Sequence, residues 1–156
     1  MDDAAPPVMA ENDAGLFYAY MIEHHALLEK KFEALLDAMR HDAADVGSLW
    51  TEVDHGLLAH MEAEERYVLP AFARVDRAAA AELLREHGEI RQLLLELGVA
   101  VDLHQLRYER SQTFVQMLRA HAGREDNLLY RWADERLDLA LRRRVLAHVG
   151  ARSALA

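Results

Sequence analysis

Apolar residues recur at alternating steps of three and four in four separate stretches of this 156-residue chain. That spacing puts them on one face of an α-helix, and such a face is buried against other helices. Gly (7) and Pro (3) are scarce, so few positions interrupt helical structure. Short connections between four long helices favour antiparallel neighbours. The sequence therefore predicts an all-α protein, an up-down-up-down antiparallel four-helix bundle.

The periodic stretches are interpreted as one domain that covers residues 1–156. A flexible tail is expected at 1–12, followed by a cap at Asn12 or Asp13. A short extra helix, packed outside the bundle, is expected at the C-terminal end, over 135–149. The bundle helices are predicted at 14–40, 48–75, 77–99 and 103–133.

Local signals support these boundaries. Pro70 removes a backbone donor and should kink or shorten the end of the second helix. Asp76 suits the N-cap of the third helix, and Gly98 lies where that helix would end. Asp102 and Gln105 resemble a capping box that opens the fourth helix.

Charge and composition exclude several classes of function. The formal net charge of −9 disfavours nucleic acid and anionic membrane surfaces as partners. The absence of Cys excludes disulfides, thiolate zinc sites and iron–sulfur ligation. The acidic first 13 residues do not resemble a secretory signal, and no apolar run reaches ~20 residues. We expect a cytoplasmic protein.

Polar residues interrupt the four apolar faces near the middle of each helix. A buried carboxylate costs several kcal/mol unless a cation or hydrogen bonds compensate it. Metal ions accept neutral imidazole and carboxylate ligands together, and a His and a Glu four residues apart share one helix face. The sequence therefore predicts a metal centre with six ligands: His25, His60, Glu64, His87, His121 and Glu125.

The remaining histidines are interpreted differently. His24 lies in a poorer register than His25 and is expected at the edge of the bundle or outside it. Tyr18 and Tyr67 fall on inward faces, where packing is favoured over hydrogen bonding to a bound ligand. Solvated side chains are expected for His41, His55, His104 and His148.

The two halves of the chain resemble each other. Each supplies one His on its first helix and a His-x-x-x-Glu motif on its second. Duplication of a helical hairpin would give a pseudo-two-fold bundle with a pair of metal ions on its axis. Two metal ions bridged by Glu64 and Glu125 are therefore predicted. Mixed nitrogen and oxygen ligands with redox activity favour iron, and manganese stays an alternative.

Four motifs carry a family resemblance: EHHALLE, HMEAEERYVLPAF, REHGEIRQLLLEL and HAGREDNLLYRWA. Together they span about residues 18–132, and in this order they resemble the hemerythrin-like family, the HHE cation-binding domains. The resemblance implies an iron pair with an oxo or hydroxo bridge. Its histidine ligands fall on His25, His60, His87 and His121, and its bridging carboxylates fall on Glu64 and Glu125.

Two positions depart from the oxygen-carrying members of that family. Leu83 stands where those carriers have a fifth histidine, so oxygen carriage does not follow from the resemblance. Asp126 stands where they have a carboxylate ligand. The internal symmetry with Glu64 favours Glu125 over Asp126.

Several functions fit such a centre. The first is binding or sensing of dioxygen, nitric oxide or peroxide. The second is an oxidase, peroxidase or nitric-oxide-detoxifying enzyme with an electron-transfer partner. The third is storage of iron or its donation to damaged iron centres, and the fourth is a structural bundle without metal. A monomer or a homodimer is expected.

Overall fold

The computed structural model describes residues 16–153. The predicted tail and the predicted caps Asn12 and Asp13 lie outside this range. Within it the structure is helical and has no strand. The helices are α1 (Leu16–Arg40), α2 (Val46–Tyr67), α3 (Leu69–Phe72), α4 (Arg77–Asp102), α5 (Tyr108–Arg124), α6 (Tyr130–Arg136) and α7 (Leu139–Ser153), with a π-helical turn at Glu125–Leu129.

The four long rods of the bundle are α1, α2, α4 and the run from α5 through the π turn to α6. The predicted antiparallel four-helix bundle is confirmed, and so is the extra helix at the C-terminal end. That helix, α7, packs on α2, and its Val145 and Val149 are fully buried. Among residues 16–153, no helix combines the length and the apolar content that crossing a bilayer requires.

The core consists of two apolar clusters with a polar layer between them. One cluster includes Phe17, Met21 and Leu83. The other includes Phe32 and Ile90. Because each rod contributes apolar residues to both clusters, the side chains between them are held at one level of the bundle. The six predicted ligands occupy that level.

The second and third helices begin and end largely as their sequence signals indicate. α2 ends at Tyr67, and the chain resumes as the four-residue α3, with Pro70 in its first turn. The predicted interruption near Pro70 is thus confirmed. The Asp76 side chain accepts a hydrogen bond of 2.9 Å from the backbone N–H of Ala79, which confirms it as the N-cap of α4.

The boundary between the third and fourth helices was predicted wrongly. α4 continues past Gly98 to Asp102, because the buried Leu97 keeps this turn packed in the core. Asp102 is therefore a helical residue, and the capping box with Gln105 does not form. α5 begins at Tyr108, and its N-cap residue Arg107 makes no side-chain capping bond.

The π turn changes which residues of the last rod face inward. The backbone N–H of Tyr130 bonds to the carbonyl of Glu125, five residues earlier, where an α-helix would bond four residues earlier. An uninterrupted α-helix would carry the inner face from Glu125 to Leu128, but Leu128 is 42% exposed, whereas Leu129 and Tyr130 are fully buried. The π turn therefore rotates the end of this rod relative to its beginning.

Candidate metal centre

The six predicted ligands converge between the two apolar clusters. Glu64 and His87 have no exposed surface, Glu125 is 1% exposed, and His25 lies at the edge of the layer. Their ligand atoms fall into two groups, each within 4.8 Å. The first group is His25, His60, Glu64 and Glu125, and the second is Glu64, His87, His121 and Glu125.

Glu64 and Glu125 belong to both groups. Glu64 Oε1 lies 3.0 Å from His60 Nε2, and its Oε2 lies 3.3 Å from His87 Nε2. Glu125 Oε1 lies 3.0 Å from His121 Nε2 and 3.6 Å from His25 Nε2. Each carboxylate thus faces one histidine from either half of the chain, as the internal repeat predicts for bridging groups.

Four inward atoms of this layer make no hydrogen bond within the described part of the chain: Glu64 Oε2, His87 Nε2, His121 Nε2 and Glu125 Oε2. Buried polar atoms without partners are rare because each costs about 1–3 kcal/mol. Carboxylate oxygens and imidazole nitrogens are ligands that transition metals accept together. The donor set therefore fits two cations that share the carboxylates.

Three of the four histidines are held from behind by carboxylates. Nδ1–H of His25 donates to Asp126 Oδ1 at 2.8 Å, and that of His87 donates to Glu65 Oε1 at 2.9 Å. His121 donates to Glu86, which also pairs with Arg124 at 2.6 Å. These contacts fix each ring so that Nε2 faces the centre.

His60 has a different partner behind it. Its Nδ1 lies 3.0 Å from Nδ1 of His24, and the two rings are stacked with centroids 5.0 Å apart. Burial lowers the pKa of His24 to about 3, with the neighbouring His60 and His25 adding to the effect. The expectation that His24 lies at the edge or outside was therefore wrong: it is buried and neutral, and it supports a predicted ligand.

Tyr130 also reaches this layer and was missed by the sequence reasoning. It is fully buried, and its hydroxyl donates a hydrogen bond to Glu64 Oε1. The hydroxyl oxygen of Tyr130 also lies 2.8 Å from His60 Nε2 and 3.1 Å from His25 Nε2. Tyr18 and Tyr67 are only half-buried, and Tyr67 packs edge-on against His148.

Protons compensate the carboxylates in the metal-free protein. Burial alone would lower the pKa of His25, but the hydrogen bond to Asp126 and the nearby carboxylate of Glu125 raise it to about 10. Burial likewise opposes protonation of His87, yet the nearby carboxylates of Glu125 and Glu64 raise its pKa to about 10. The pKa of His121 is raised in the same way, by Glu125 and Glu86. Metal ions would displace these protons, since imidazole binds metal in its neutral form.

The structure distinguishes the two neighbouring acids of the fourth rod. Glu125 points into the centre, while Asp126 stands behind His25 as its hydrogen-bond partner. The preference for Glu125 as the inward carboxylate agrees with this placement. Its role as a metal ligand stays a prediction.

The other histidines lie away from the centre. His41, His55 and His104 are exposed, as expected. His148 is not a plain solvated residue, because its side chain is only 15% exposed and its Nε2 lies 3.3 Å from Glu62 Oε2. It belongs to the contact between α7 and α2.

A cavity of about 40 Å³ borders the polar layer. His25, His60, His121 and Glu125 form its polar end, and the remaining wall is largely apolar: Leu28, Phe32, Leu57, Met61, Ile90, Leu118 and Ala122. Glu29 and Arg119 also line it, and their side chains form an ion pair between α1 and α5. A volume of this size suits a molecule of two or three heavy atoms, because about 10–15 Å³ of such space is enough to hold one water.

Comparison with known proteins gives one match. A sequence model described as "Hemerythrin HHE cation binding domain" matches residues 16–133. This range includes all six converging side chains and Tyr130. No curated protein and no solved structure matches the chain at a significant level.

Proposed function

This chain belongs to the family of hemerythrin HHE cation-binding domains, and from that premise we propose that it binds two iron ions and, at them, dioxygen or a related small molecule such as nitric oxide or peroxide. The six side chains of the polar layer would hold the ions. Cation binding is the property that the family match and the His/Glu cluster support directly.

One observation carries the proposal: two groups of ligand atoms, each within 4.8 Å, share both buried carboxylates. Six protein side chains that form two groups around shared carboxylates are not the ligand set of a single ion. When bound, an iron pair would supply the redox chemistry of the site. The mixture of imidazole and carboxylate ligands favours iron, with manganese as the alternative.

The protein's own residues would select a small ligand. The largely apolar cavity beside the layer has room for about two or three heavy atoms. No room for an organic substrate is evident in this space. The carboxylates behind His25, His87 and His121 would hold the rings in place while a ligand binds and leaves.

The test is iron loading followed by ligand binding under anaerobic conditions. We expect two iron ions per chain and a reversible change in the absorption of the reduced protein when dioxygen or nitric oxide is added. Glu64→Gln should lose stoichiometric iron binding, whereas Glu33→Gln, an exposed position on α1, should retain it. Wild-type protein that binds no iron, or whose iron gives no spectral change with any ligand, would overturn the proposal.

A second candidate function is an enzyme that consumes peroxide or nitric oxide, and one observation favours it. Leu83 lies one turn before His87 and is buried, so this position provides no fifth imidazole. A pair with fewer protein ligands keeps more room for turnover. Steady-state consumption of peroxide or nitric oxide with a reductant would distinguish it, and a rate equal to that of free iron would exclude it.

Iron donation is the weaker alternative, because the carboxylates and His87 are almost inaccessible to an acceptor. A cytoplasmic location, an electron-transfer partner and a monomeric or homodimeric state remain predictions from the sequence.

A further inference from the structure

We propose that Tyr130 is a seventh protein ligand, whose phenolate oxygen completes the half of the centre formed by His25 and His60. The inference rests on the proposed function, since it needs iron at the site. Neither the family resemblance nor the metal-ligand pattern in the sequence assigns Tyr130 a role.

Distances around the phenol carry the argument. Ligands about 2.1 Å from one ion and at right angles to each other lie roughly 3 Å apart. Nε2 of His25 and Nε2 of His60 are 3.0 Å apart, and His60 Nε2 is 3.0 Å from Glu64 Oε1. The Tyr130 oxygen lies 2.8 and 3.1 Å from the two nitrogens and contacts the same Glu64 oxygen. These four distances of 2.8–3.1 Å match the spacing of ligands that share one ion, and the Tyr130 oxygen takes part in two of them.

The backbone directs Tyr130 to this place. An α-helix would turn residue 130 well away from the direction of Glu125, since five residues exceed one turn of 3.6. The π turn has more residues per turn than an α-helix, as the bond from Tyr130 N–H to Glu125 C=O shows, and it therefore brings the two side chains closer to one face of the rod. π turns inserted in α-helices often occur at functional sites. Phe17 supports the tyrosine ring edge-on, with centroids 6.4 Å apart.

The other half of the centre has no such group. His60 and Glu64 precede His121 and Glu125 by 61 residues, and the residue 61 positions before Tyr130 is Leu69. Leu69 is buried but apolar. The duplicated halves therefore differ at this position, with a phenol in one half and a hydrocarbon in the other. A tyrosine that served only packing would not need its oxygen beside three predicted ligand atoms.

Ligation would release one proton and change no oxidation state. The phenol O–H bond would break as the oxygen binds the ferric ion, and the proton would pass to solvent. No oxidant or reductant is consumed. Burial, together with the charges of Glu125 and Glu64, raises the pKa of Tyr130 well above its usual range in the metal-free protein. The phenol is therefore neutral until a cation is present.

The test is the visible and resonance Raman spectrum of the protein loaded with ferric iron. A phenolate bound to ferric iron gives a charge-transfer band whose Raman excitation shows tyrosine ring vibrations. We expect this band in the wild type and in Tyr67→Phe, a half-buried tyrosine outside the centre, and its loss in Tyr130→Phe. Iron content, measured separately, should show that Tyr130→Phe still binds metal through the six remaining ligands.

A second measurement protects the test against misfolding of Tyr130→Phe. Wild-type protein made with 3-fluorotyrosine should fold normally and show a shifted band, because fluorine changes the electron donation of the phenolate. A wild type that binds two iron ions without phenolate vibrations would overturn this inference and leave the proposed function intact. A wild type that binds no iron would overturn both.

Discussion

Glu65 Oε1 lies 2.9 Å from Nδ1 of the buried His87. Arg91 binds both oxygens of the same carboxylate, at 2.6 and 2.9 Å. Burial would raise the pKa of Glu65, but hydrogen bonds from Arg91 and His87 keep it below its usual value. Arg91, Glu65 and His87 therefore form a series of hydrogen bonds from the surface to the centre. This series holds His87 Nε2 toward Glu64.

Glu65→Gln should weaken iron binding by about 10–100-fold, the usual range for a group that orients a metal ligand. The amide still fits the space but accepts the imidazole proton less strongly and pairs poorly with Arg91. Competition with a chelator would measure the change. Glu96→Gln is the matched control, because it removes an exposed Glu–Arg pair, with Arg110 at 3.3 Å, that does not touch a histidine. Equal affinities for wild type and Glu65→Gln would contradict the prediction.

His24→Phe should also weaken iron binding, by about tenfold on the same scale. Phenylalanine keeps the ring stacked on His60 but cannot accept a hydrogen bond from Nδ1–H of His60. The His60 ring would then no longer be held in the tautomer and orientation that direct Nε2 to the centre. His55→Phe, an exposed change on α2, should leave the affinity unchanged. Unaltered iron affinity in His24→Phe would show that stacking alone positions His60.

The sequence was sufficient for the bundle and for the placement of the six converging residues, because both follow from where apolar periodicity is interrupted. His24 shows where that reasoning fails. On α1 the buried residues Phe17 and His24 each lie one position before the predicted inward residues Tyr18 and His25. The adjacent residues His24 and His25 are both part of the polar layer: His25 faces the centre, and His24 lies behind His60. A pattern that assigns one inward face to a helix cannot predict that two adjacent residues both lie inside.

Tyr130 shows the second limit. A regular helix of 3.6 residues per turn carries the inward face from Glu125 to Leu128. The π turn moves that face to Leu129 and Tyr130, and no residue type in this segment signals a π turn as clearly as Pro or Gly signals a break. The outer carboxylates Glu65 and Glu86 were missed because an acidic residue on a helix is usually solvated.

Stability of the metal-free protein should fall as the pH rises from about 6.5 to 10. The folded pKa of His25 and of His87 is about 10, above the ordinary value of 6.5. The folded state therefore binds more protons than the unfolded state in this range, and their stabilising effect is complete below pH 6.5 and lost through pH 10. The iron-loaded protein should show a shallower dependence, because its imidazoles are neutral ligands.

Thermal unfolding of both forms across this pH range would measure the effect. His25→Gln should flatten the profile of the metal-free protein, since one of the three raised histidine pKa values is removed. A melting temperature that stays constant or rises toward pH 10 in the metal-free wild type would contradict the predicted direction.

Ala122→Leu should slow ligand binding to the reduced, iron-loaded protein. Ala122 lines the cavity, and leucine adds three carbon atoms to a space of about 40 Å³. We expect the association rate of dioxygen or nitric oxide to fall by about tenfold, which corresponds to ~1.4 kcal/mol of added barrier. Stopped-flow mixing would measure this rate. Because overpacking costs about 1–3 kcal/mol, the fold should survive.

Ala120→Leu, exposed on the same helix, is the control and should bind at the wild-type rate. Identical rates in Ala122→Leu and Ala120→Leu would mean that ligands reach the centre by another route, because the cavity would be blocked in only one of them.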